Sequence, residues 1–328
     1  MYLMHKHLYY VKQEEEKLLA RNGVYTPLMS NPNTGEETAR LYFALKDLEK
    51  IVMQYDNDED THIVVCTDRK SSRKTDEENN ETAYKANRPS TRFNELDIAA
   101  IHDTERAIRQ LGIPVLGYEG YEADDIIQSI VHQYKQSLAE IVIYTPDADL
   151  AVLVDDNVQL RRYKGEYSKM SRITELPDVQ LIDSHAVITK NNLARYFTYE
   201  YSKHKATVVI DYNVIAFYKA TVGDPADNIK GITRFGNSAY MKLRQQLIAG
   251  GHWQRLCDIR TADEMYKFFD EVLLHYISET QLQEVRASYE LVRPRELTID
   301  MLELRSTERL SRESRKNVYM SGWGINKI

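Results

Sequence analysis

Short apolar runs alternate with amphipathic helical patterns over the first half of the chain. The runs HIVVCTD, LGIPVLGY, EIVIYTPDAD and NVQLRRY begin at residues 62, 111, 140 and 157. Continuous apolar runs of this length are typical of strands that are covered on both faces. The segments from Thr38 to Tyr55 and from Ile98 to Gly112 repeat their apolar residues with the period of a helix. This alternation predicts an α/β fold with a mainly parallel central sheet flanked by helices.

The rest of the chain has a different texture. From about Asp211 onward the pattern is almost wholly helical, whereas residues 161–210 show no clear period. We therefore predict an α/β domain over residues 1–205 and a helical domain over residues 206–328. Residues 68–92 are polar and charged, which predicts a long excursion from the first domain.

Composition narrows the class of protein. Hydrophobic residues make up 42% of the chain, enough for a sizeable core, and no apolar run approaches the roughly 18 residues that span a bilayer. The N-terminus lacks the apolar stretch of a signal peptide. Two cysteines, Cys66 and Cys257, argue against a disulfide framework and favour a reducing cytoplasm. The net charge of −7 argues weakly against a nucleic-acid partner, although it hides local patches.

Acidic residues gather where the predicted strands end. One strand ends in an acid, a helix that follows the second opens with three, and the third is followed by two more: Asp68, Glu122, Asp124, Asp125, Asp147 and Asp149. Ligands of open α/β sheets lie at the carboxyl ends of the strands, so we expect these side chains to meet at one sheet edge. Acids in a first helical turn can simply complement the helix dipole. Three such clusters instead predict a bound cation, and oxygen ligands favour Mg²⁺ or Mn²⁺.

The motifs around these acids resemble those of the 5′ nucleases. This family contains phage flap endonucleases, RNase H-type 5′→3′ exonucleases and the 5′-nuclease domain of bacterial DNA polymerase I. GYEADDIIQSI is similar to the family's GYEADDIIGTL, YTPDADLAVLV to TGDKDLLQLV, and VGDPADNIKGI to VGDSSDNIPGV. The resemblance runs from about Gly35 to Leu243. It implies a metal-dependent 5′→3′ exonuclease and flap endonuclease of replication or repair. The expected partners are DNA with 5′ ends, flaps or nicks, and RNA primers in DNA·RNA hybrids; we expect a monomer without a membrane partner.

The resemblance also implies roles for single residues. It places four acids around a first metal ion, namely Asp68, Glu122, Asp124 and Asp125. It places four more around a second ion, namely Asp147, Asp149, Asp224 and Asp227. Two such ions clamp the attacking and leaving oxygens of one phosphodiester. The expected catalytic residues are Asp68, Asp124, Arg73 and Lys85.

Residues 68–92 match the arch or gateway of the family, which a single-stranded 5′ end contacts. Basic side chains attract the phosphates, and an aromatic side chain can stack on a base. The acids among them leave open the alternative of an ordinary solvated loop. The resemblance assigns DNA contacts to Lys70, Arg73, Lys74, Tyr84, Lys85, Arg88 and Arg92.

Residues 222–247 resemble the helix–three-turn–helix that holds duplex DNA in the family, often with a bound K⁺ ion. Gly231 and Gly236 are retained, whereas Arg234 replaces a glycine and Ser238 replaces a lysine. We expect all four to lie at the DNA. Arg234 either supplies a phosphate contact or distorts the turn.

The beginning of the chain departs from the family, which opens with a strand ending in a metal-binding Asp. VKQEEEKLLARNG, from residue 11, instead predicts an exposed helix. Aligning the family's arginine with Arg21 places Glu14 opposite the missing Asp, but a helix is not a strand end. Otherwise the chain lacks a segment that completes the sheet, or its metal site is weakened. The alternative function is therefore an inactive homologue that binds branched DNA.

Overall fold

The structure, a computed structural model, describes residues 2–69, 71, 84–86, 94–147, 149–163, 180–182, 185–193, 212–305 and 308–325. Its strands are β1 (Val65–Cys66), β2 (Val115–Leu116), β3 (Ile141–Tyr144), β4 (Val158–Tyr163), β5 (Leu181–Ile182) and β6 (His185–Ile188). Its α-helices are α1 (Tyr2–Asn22), α2 (Ala39–Met53), α3 (Glu95–Gln110), α4 (Ala123–Tyr134), α5 (Ile215–Val222), α6 (Asn237–Ala249), α7 (Trp253–Cys257), α8 (Ala262–Glu271), α9 (Glu279–Val292), α10 (Met301–Leu304) and α11 (Arg312–Asn317). None of the described helices combines the length and the apolar character needed to cross a membrane.

The chain forms two compact units, each built from separate parts of the sequence. Unit 1 consists of Met1–Ser71, Ser90–Ile127 and Leu297–Ile328, and unit 2 consists of Ser72–Pro89 and Gln128–Glu296. The predicted domain boundary at 205/206 lies outside the described residues and stays a prediction.

The described strands form two sheets. In unit 1, β1 and β2 run parallel, with Val65 opposite Val115. In unit 2, β3 and β4 run parallel, with Ile141 opposite Val158, but β6 is antiparallel to both β4 and β5. The predicted parallel pairing is therefore confirmed for two strand pairs, whereas one mainly parallel central sheet is not. Residues 161–210, where the sequence shows no clear period, contain the antiparallel strands that the prediction missed.

Apolar periodicity explains the helices of unit 1. The predicted stripe of α2 is buried, including Leu45 and Val52, which are fully covered. A capping box starts α3: the side chain of Asn94 accepts a hydrogen bond from the amide of Asp97, and Asp97 accepts one from the amide of Asn94, both at 2.9 Å. These helices pack around Leu111 and Ile113, which lead into β2.

The N-terminal segment is a helix, as predicted, and not a strand. The side chain of Glu14 lies 2.6 Å from Lys17 on the same helix, so the structure does not place Glu14 at a strand end. The neighbouring Glu15 is buried instead, where its carboxylate pairs with Arg40 at 3.0 Å. Arg40 also pairs with Asp97 at 3.0 Å, and this ion-pair cluster joins α1, α2 and α3.

The last described residues return to unit 1 and complete its core. The guanidinium of Arg315 is buried and pairs with Glu49 of α2 at 2.7 Å. The indole of Trp323 donates a hydrogen bond to the side chain of Gln110 at 3.0 Å. Residues 297–325 are therefore part of the unit that carries β1 and β2.

The core of unit 2 is aromatic and helical. Phe217 of α5 packs against Phe268 and Phe269 of α8 and against Tyr240 of α6, and all four are buried. This core supports α5 and α6 on either side of the loop at residues 223–236.

Candidate functional site

The first acid cluster, Asp68, Glu122, Asp124 and Asp125, lies in unit 1 where β1 ends and α4 begins. The Oδ1 atom of Asp68 accepts a hydrogen bond from the amide of Ala123 at 2.8 Å. The Oδ2 atom of Asp125 accepts one from the amide of Glu122 at 2.9 Å. Both carboxylates thus satisfy amides of the first turn, which lack a partner within the helix, and the helix dipole stabilises their charge.

The thiol of Cys66 experiences the charge of this cluster directly. Desolvation, and then the carboxylates of Asp124 and Asp68, raise the pKa of Cys66 to about 12. Asp124 and Asp68 therefore act on one and the same point beside β1. Such a concentration of negative charge favours a cation as its neighbour.

An ion pair behind Asp68 holds the end of β1. Arg69 donates two hydrogen bonds to the carboxylate of Glu105 on α3, both at 2.9 Å, and Thr67 donates a third at 2.8 Å. Arg69 passes so close to Gly117 that a Cβ atom there would lie 2.8 Å from its Cζ atom. The backbone on both sides of Asp68 is therefore fixed by its neighbours.

The second acid cluster, Asp147, Asp149, Asp224 and Asp227, lies in unit 2. Its centre contains a basic residue: the Nζ atom of Lys219 lies 2.5 Å from Oδ2 of Asp149 and 2.8 Å from Oδ2 of Asp224. Burial raises the pKa of Asp149; Lys219 opposes this shift, while Asp147 and Asp224 add to it. Three carboxylates and one ammonium therefore share one electrostatic environment.

A tight turn holds Asp224 and Asp227. The amide of Asp224 donates to the carbonyl of Ile229 at 2.8 Å, and the amide of Ile229 donates back at 2.9 Å. The amide of Asp227 donates to the carbonyl of Asp224 at 3.2 Å. Asn228 takes the left-handed conformation that closes the turn, with φ of 58°.

The chemistry of both clusters fits hard divalent cations, because the donors are carboxylate oxygens only. Within the described part of the chain, however, no three His, Cys, Asp or Glu side chains are arranged so that they could hold a metal ion. The geometry explains this result: backbone amides bind Asp68 and Asp125, and Lys219 binds Asp149 and Asp224. The ligand roles predicted from the sequence stay predictions.

The described part of the predicted arch, residues 68, 69, 71 and 84–86, requires one correction. Tyr84 is buried, with 7% of its surface exposed, and the Nζ atom of Lys85 lies 4.6 Å from the centre of its ring. The structure therefore does not offer Tyr84 to a nucleic-acid base; its ring packs inside the protein. The amide of Lys85 donates to the carbonyl of Asp227 at 2.9 Å, which places Lys85 beside the second acid cluster. The other predicted arch contacts lie outside the described residues: Lys70, Arg73, Lys74, Arg88 and Arg92.

The loop between α5 and α6 contains the four residues predicted for the helix–three-turn–helix. Gly231 has φ of 65°, and a Cβ atom there would lie 2.4 Å from the amide nitrogen of Gly223. Arg234 is exposed and also left-handed, with φ of 60°, so the turn accepts it where the family has a glycine. Gly236 precedes α6, and Ser238 is exposed in its first turn.

The comparison with known families decides the class of protein. A profile of the 5′-3′ exonuclease N-terminal, resolvase-like domain matches residues 16–192 of this chain.

The chain belongs to the 5′-3′ exonuclease family.

Curated members of the family are similar over a large part of this chain. It is 29% identical to DNA polymerase I of Caldicellulosiruptor bescii over 205 residues, which are 62% of this chain and 21% of that protein. It is 29% identical to the 5′-3′ exonuclease of Bacillus subtilis over 200 residues, 60% of this chain and 56% of that protein. The matched part is therefore about a fifth of the first relative and little more than half of the second. Among solved structures, it is similar to the T5 5′-exonuclease with bound zinc ions, at 16% identity and a TM-score of 0.46, over 87% of this chain and 92% of that one.

Two features of the acid clusters of this 5′-3′ exonuclease family member were missed from its sequence. Lys219 stands in YKATVGD, and its position one helical turn before Gly223 was the available signal. The pairing of Arg69 with Glu105 joins residues 36 positions apart and gives no local signal.

Proposed function

We propose that this chain is a metal-dependent 5′→3′ exonuclease and flap endonuclease that hydrolyses phosphodiester bonds of DNA during replication or repair. One observation supports this above all. A member of the 5′-3′ exonuclease family retains eight acids in two clusters, and their first shared contacts are with helix amides and a lysine, not with the apolar core. Such exposed clusters destabilise a fold unless they serve a ligand.

Each acid cluster has its own role in this proposal. The first cluster would hold one divalent ion, and the second cluster would hold another. The bound ions, Mg²⁺ or Mn²⁺, supply charge neutralisation at the phosphate and a lowered pKa for an attacking water. The protein contributes orientation: the amides of α4 fix Asp68 and Asp125, and the ion pair of Arg69 fixes the strand end. Lys85 and Arg73 contribute positive charge to the scissile phosphate.

The loop between α5 and α6 is the proposed duplex-binding element. Close backbone packing at Gly231 leaves room for a phosphate to approach the main chain, and the start of α6 presents free amides. A K⁺ ion at this loop completes the phosphate contact. The proposed substrates are DNA with 5′ ends, flaps or nicks, and RNA primers in DNA·RNA hybrids, cut by a monomer.

A second candidate function is a catalytically weakened or inactive homologue that binds branched DNA. The observation that favours it is α1, which stands where the family has a strand ending in a metal-binding Asp. With one acid fewer, the first cluster would bind its ion more weakly. Cleavage would then require a higher Mg²⁺ concentration, and Mn²⁺ would support it better.

Cleavage of a 5′-flap duplex in Mg²⁺ or Mn²⁺ tests the proposal. Asp124→Asn should lower the cleavage rate by roughly 10²–10³-fold, the usual effect of losing one stabilising group at a developing charge. Its affinity for the duplex should change little, because the proposed duplex contacts lie elsewhere. Asp103→Asn is the matched control, because Asp103 is an exposed acid of α3 paired with Arg106.

Three results separate the candidates. Short products from the wild type that disappear with Asp124→Asn, but not with Asp103→Asn, support the nuclease. Flap binding without cleavage in either metal supports the inactive homologue. Cleavage by Asp124→Asn within threefold of the wild type contradicts the assignment of the first cluster.

A further inference from the structure

A lysine occupies the centre of the second acid cluster. Lys219 projects from α5, and its ammonium bridges Asp149 and Asp224 at 2.5 and 2.8 Å. Only 13% of its side chain is exposed. No other described lysine bridges two of the acids that we assign as metal ligands.

The environment keeps this ammonium charged. Burial lowers the pKa of Lys219, but the carboxylates of Asp149 and Asp224 outweigh burial and raise the pKa above its ordinary value. A second proton-bearing cation is not needed to neutralise this pair of acids. The same oxygen atoms are those that a divalent ion would take.

We infer that Lys219 is a built-in counter-ion of the second acid cluster, and that it sets the affinity of this cluster for divalent cations. The inference rests on the proposed function, because it takes Asp149 and Asp224 to be ligands. A divalent ion must take both oxygens from the ammonium or share them with it. The lysine thus keeps the metal-free cluster folded and weakens metal binding at the same time.

Removal of the ammonium therefore has two effects of opposite sign. Without metal, Asp149 and Asp224 lose their common partner and repel each other, so the protein becomes less stable. With metal, the ion no longer competes with a positive charge and binds more tightly. A residue that merely supported the structure would weaken both properties together.

The experiment measures Mn²⁺ binding by calorimetry and thermal unfolding in EDTA. Every protein carries Asp124→Asn, so that the first cluster loses a ligand and the heats report the second cluster. Lys219→Met and Lys219→Gln are compared with the Lys219 protein; the glutamine variant keeps a polar side chain in case the methionine variant folds poorly. Lys190→Met is the matched control, because Lys190 also bridges two acids, Asp155 and Asp156, at 3.4 and 2.9 Å.

The expected result is Mn²⁺ binding at least tenfold tighter in both Lys219 variants, with a lower melting temperature in EDTA and recovery at saturating Mn²⁺. Lys190→Met should change neither Mn²⁺ affinity nor its stabilising effect. Binding by the Lys219 variants that is equal to or weaker than that of the Lys219 protein overturns the inference and leaves the proposed function intact. If neither the Lys219 protein nor its variants bind Mn²⁺, both the inference and the metal site of the proposed function fail.

Discussion

Replacing Gly231 with alanine should destabilise unit 2 far more than the same change at Gly236. Gly231 has φ of 65°, and an added Cβ atom would lie 2.4 Å from the nitrogen of Gly223, 2.6 Å from the carbonyl carbon of Val222 and 2.7 Å from the oxygen of Thr221. All three are backbone atoms, which cannot turn away as a flexible side chain would. Gly236 has φ of −97° and no atom within 4 Å of its Cβ position.

The magnitude follows from two terms. A left-handed alanine costs about 1–2 kcal/mol, and forcing one more carbon into a packed site costs about 1–3 kcal/mol. Gly231→Ala should therefore lower the free energy of unfolding by about 2–5 kcal/mol. At Gly236, the entropy that alanine removes from the unfolded chain offsets its poorer capping, and the net change should stay within about 0.5 kcal/mol.

Circular dichroism at rising temperature measures this difference. For a unit of this size, each kcal/mol lowers the melting temperature by about 2–4 °C, so 3 kcal/mol predicts a fall of about 6–12 °C for Gly231→Ala. Gly236→Ala should melt within about 2 °C of the wild type. Equal melting temperatures for the two variants would refute the argument that the backbone at Gly231 has no room for a side chain.

Three further predictions concern unit 1. Burial raises the pKa of Glu105, but Arg69 outweighs it and holds the pKa below its ordinary value of 4.5. The pair therefore stabilises the fold above about pH 4.5 and is lost as the pH falls through the folded pKa, so Glu105→Gln should lower the urea midpoint at pH 7 and scarcely at pH 3. Glu49→Leu leaves the buried guanidinium of Arg315 without its main partner, and it should cost about 3–5 kcal/mol in urea unfolding. Because its pKa is raised to about 12, the thiol of Cys66 should react with iodoacetamide at pH 8 at least tenfold more slowly in the folded protein than in urea; equal rates would contradict its placement.

Local patterns predicted much of the fold. The apolar stripe of α2 and the helix at the start of the chain follow from period and propensity, which act over a few residues. The short apolar runs also marked β1 to β4 correctly. Pairing between strands is not local, and so the antiparallel position of β6 beside β4 could not be read from either strand alone.

The candidate site was predictable in its acids and not in their partners. Motifs placed Asp68 at the end of β1 and Asp124 at the start of α4, because those positions depend on local structure. The contact of Lys219 with Asp149 joins residues 70 positions apart, and only the fold brings them together. Tyr84 was misjudged for a related reason: a polar, charged context predicts exposure, whereas burial depends on what packs over the ring.

The return of residues 297–325 to unit 1 sets an order of events during synthesis. Arg315 meets Glu49 across 266 positions, and Leu310 donates its amide to the carbonyl of Leu111 at 3.1 Å. Until the ribosome has released these residues, α2 and α3 present an apolar surface and a buried carboxylate without their partners. Unit 2 lies wholly within earlier sequence and can finish folding first. The half of the protein that carries the first acid cluster is thus completed last, so that a nascent chain does not hold a finished nuclease unit before its translation ends.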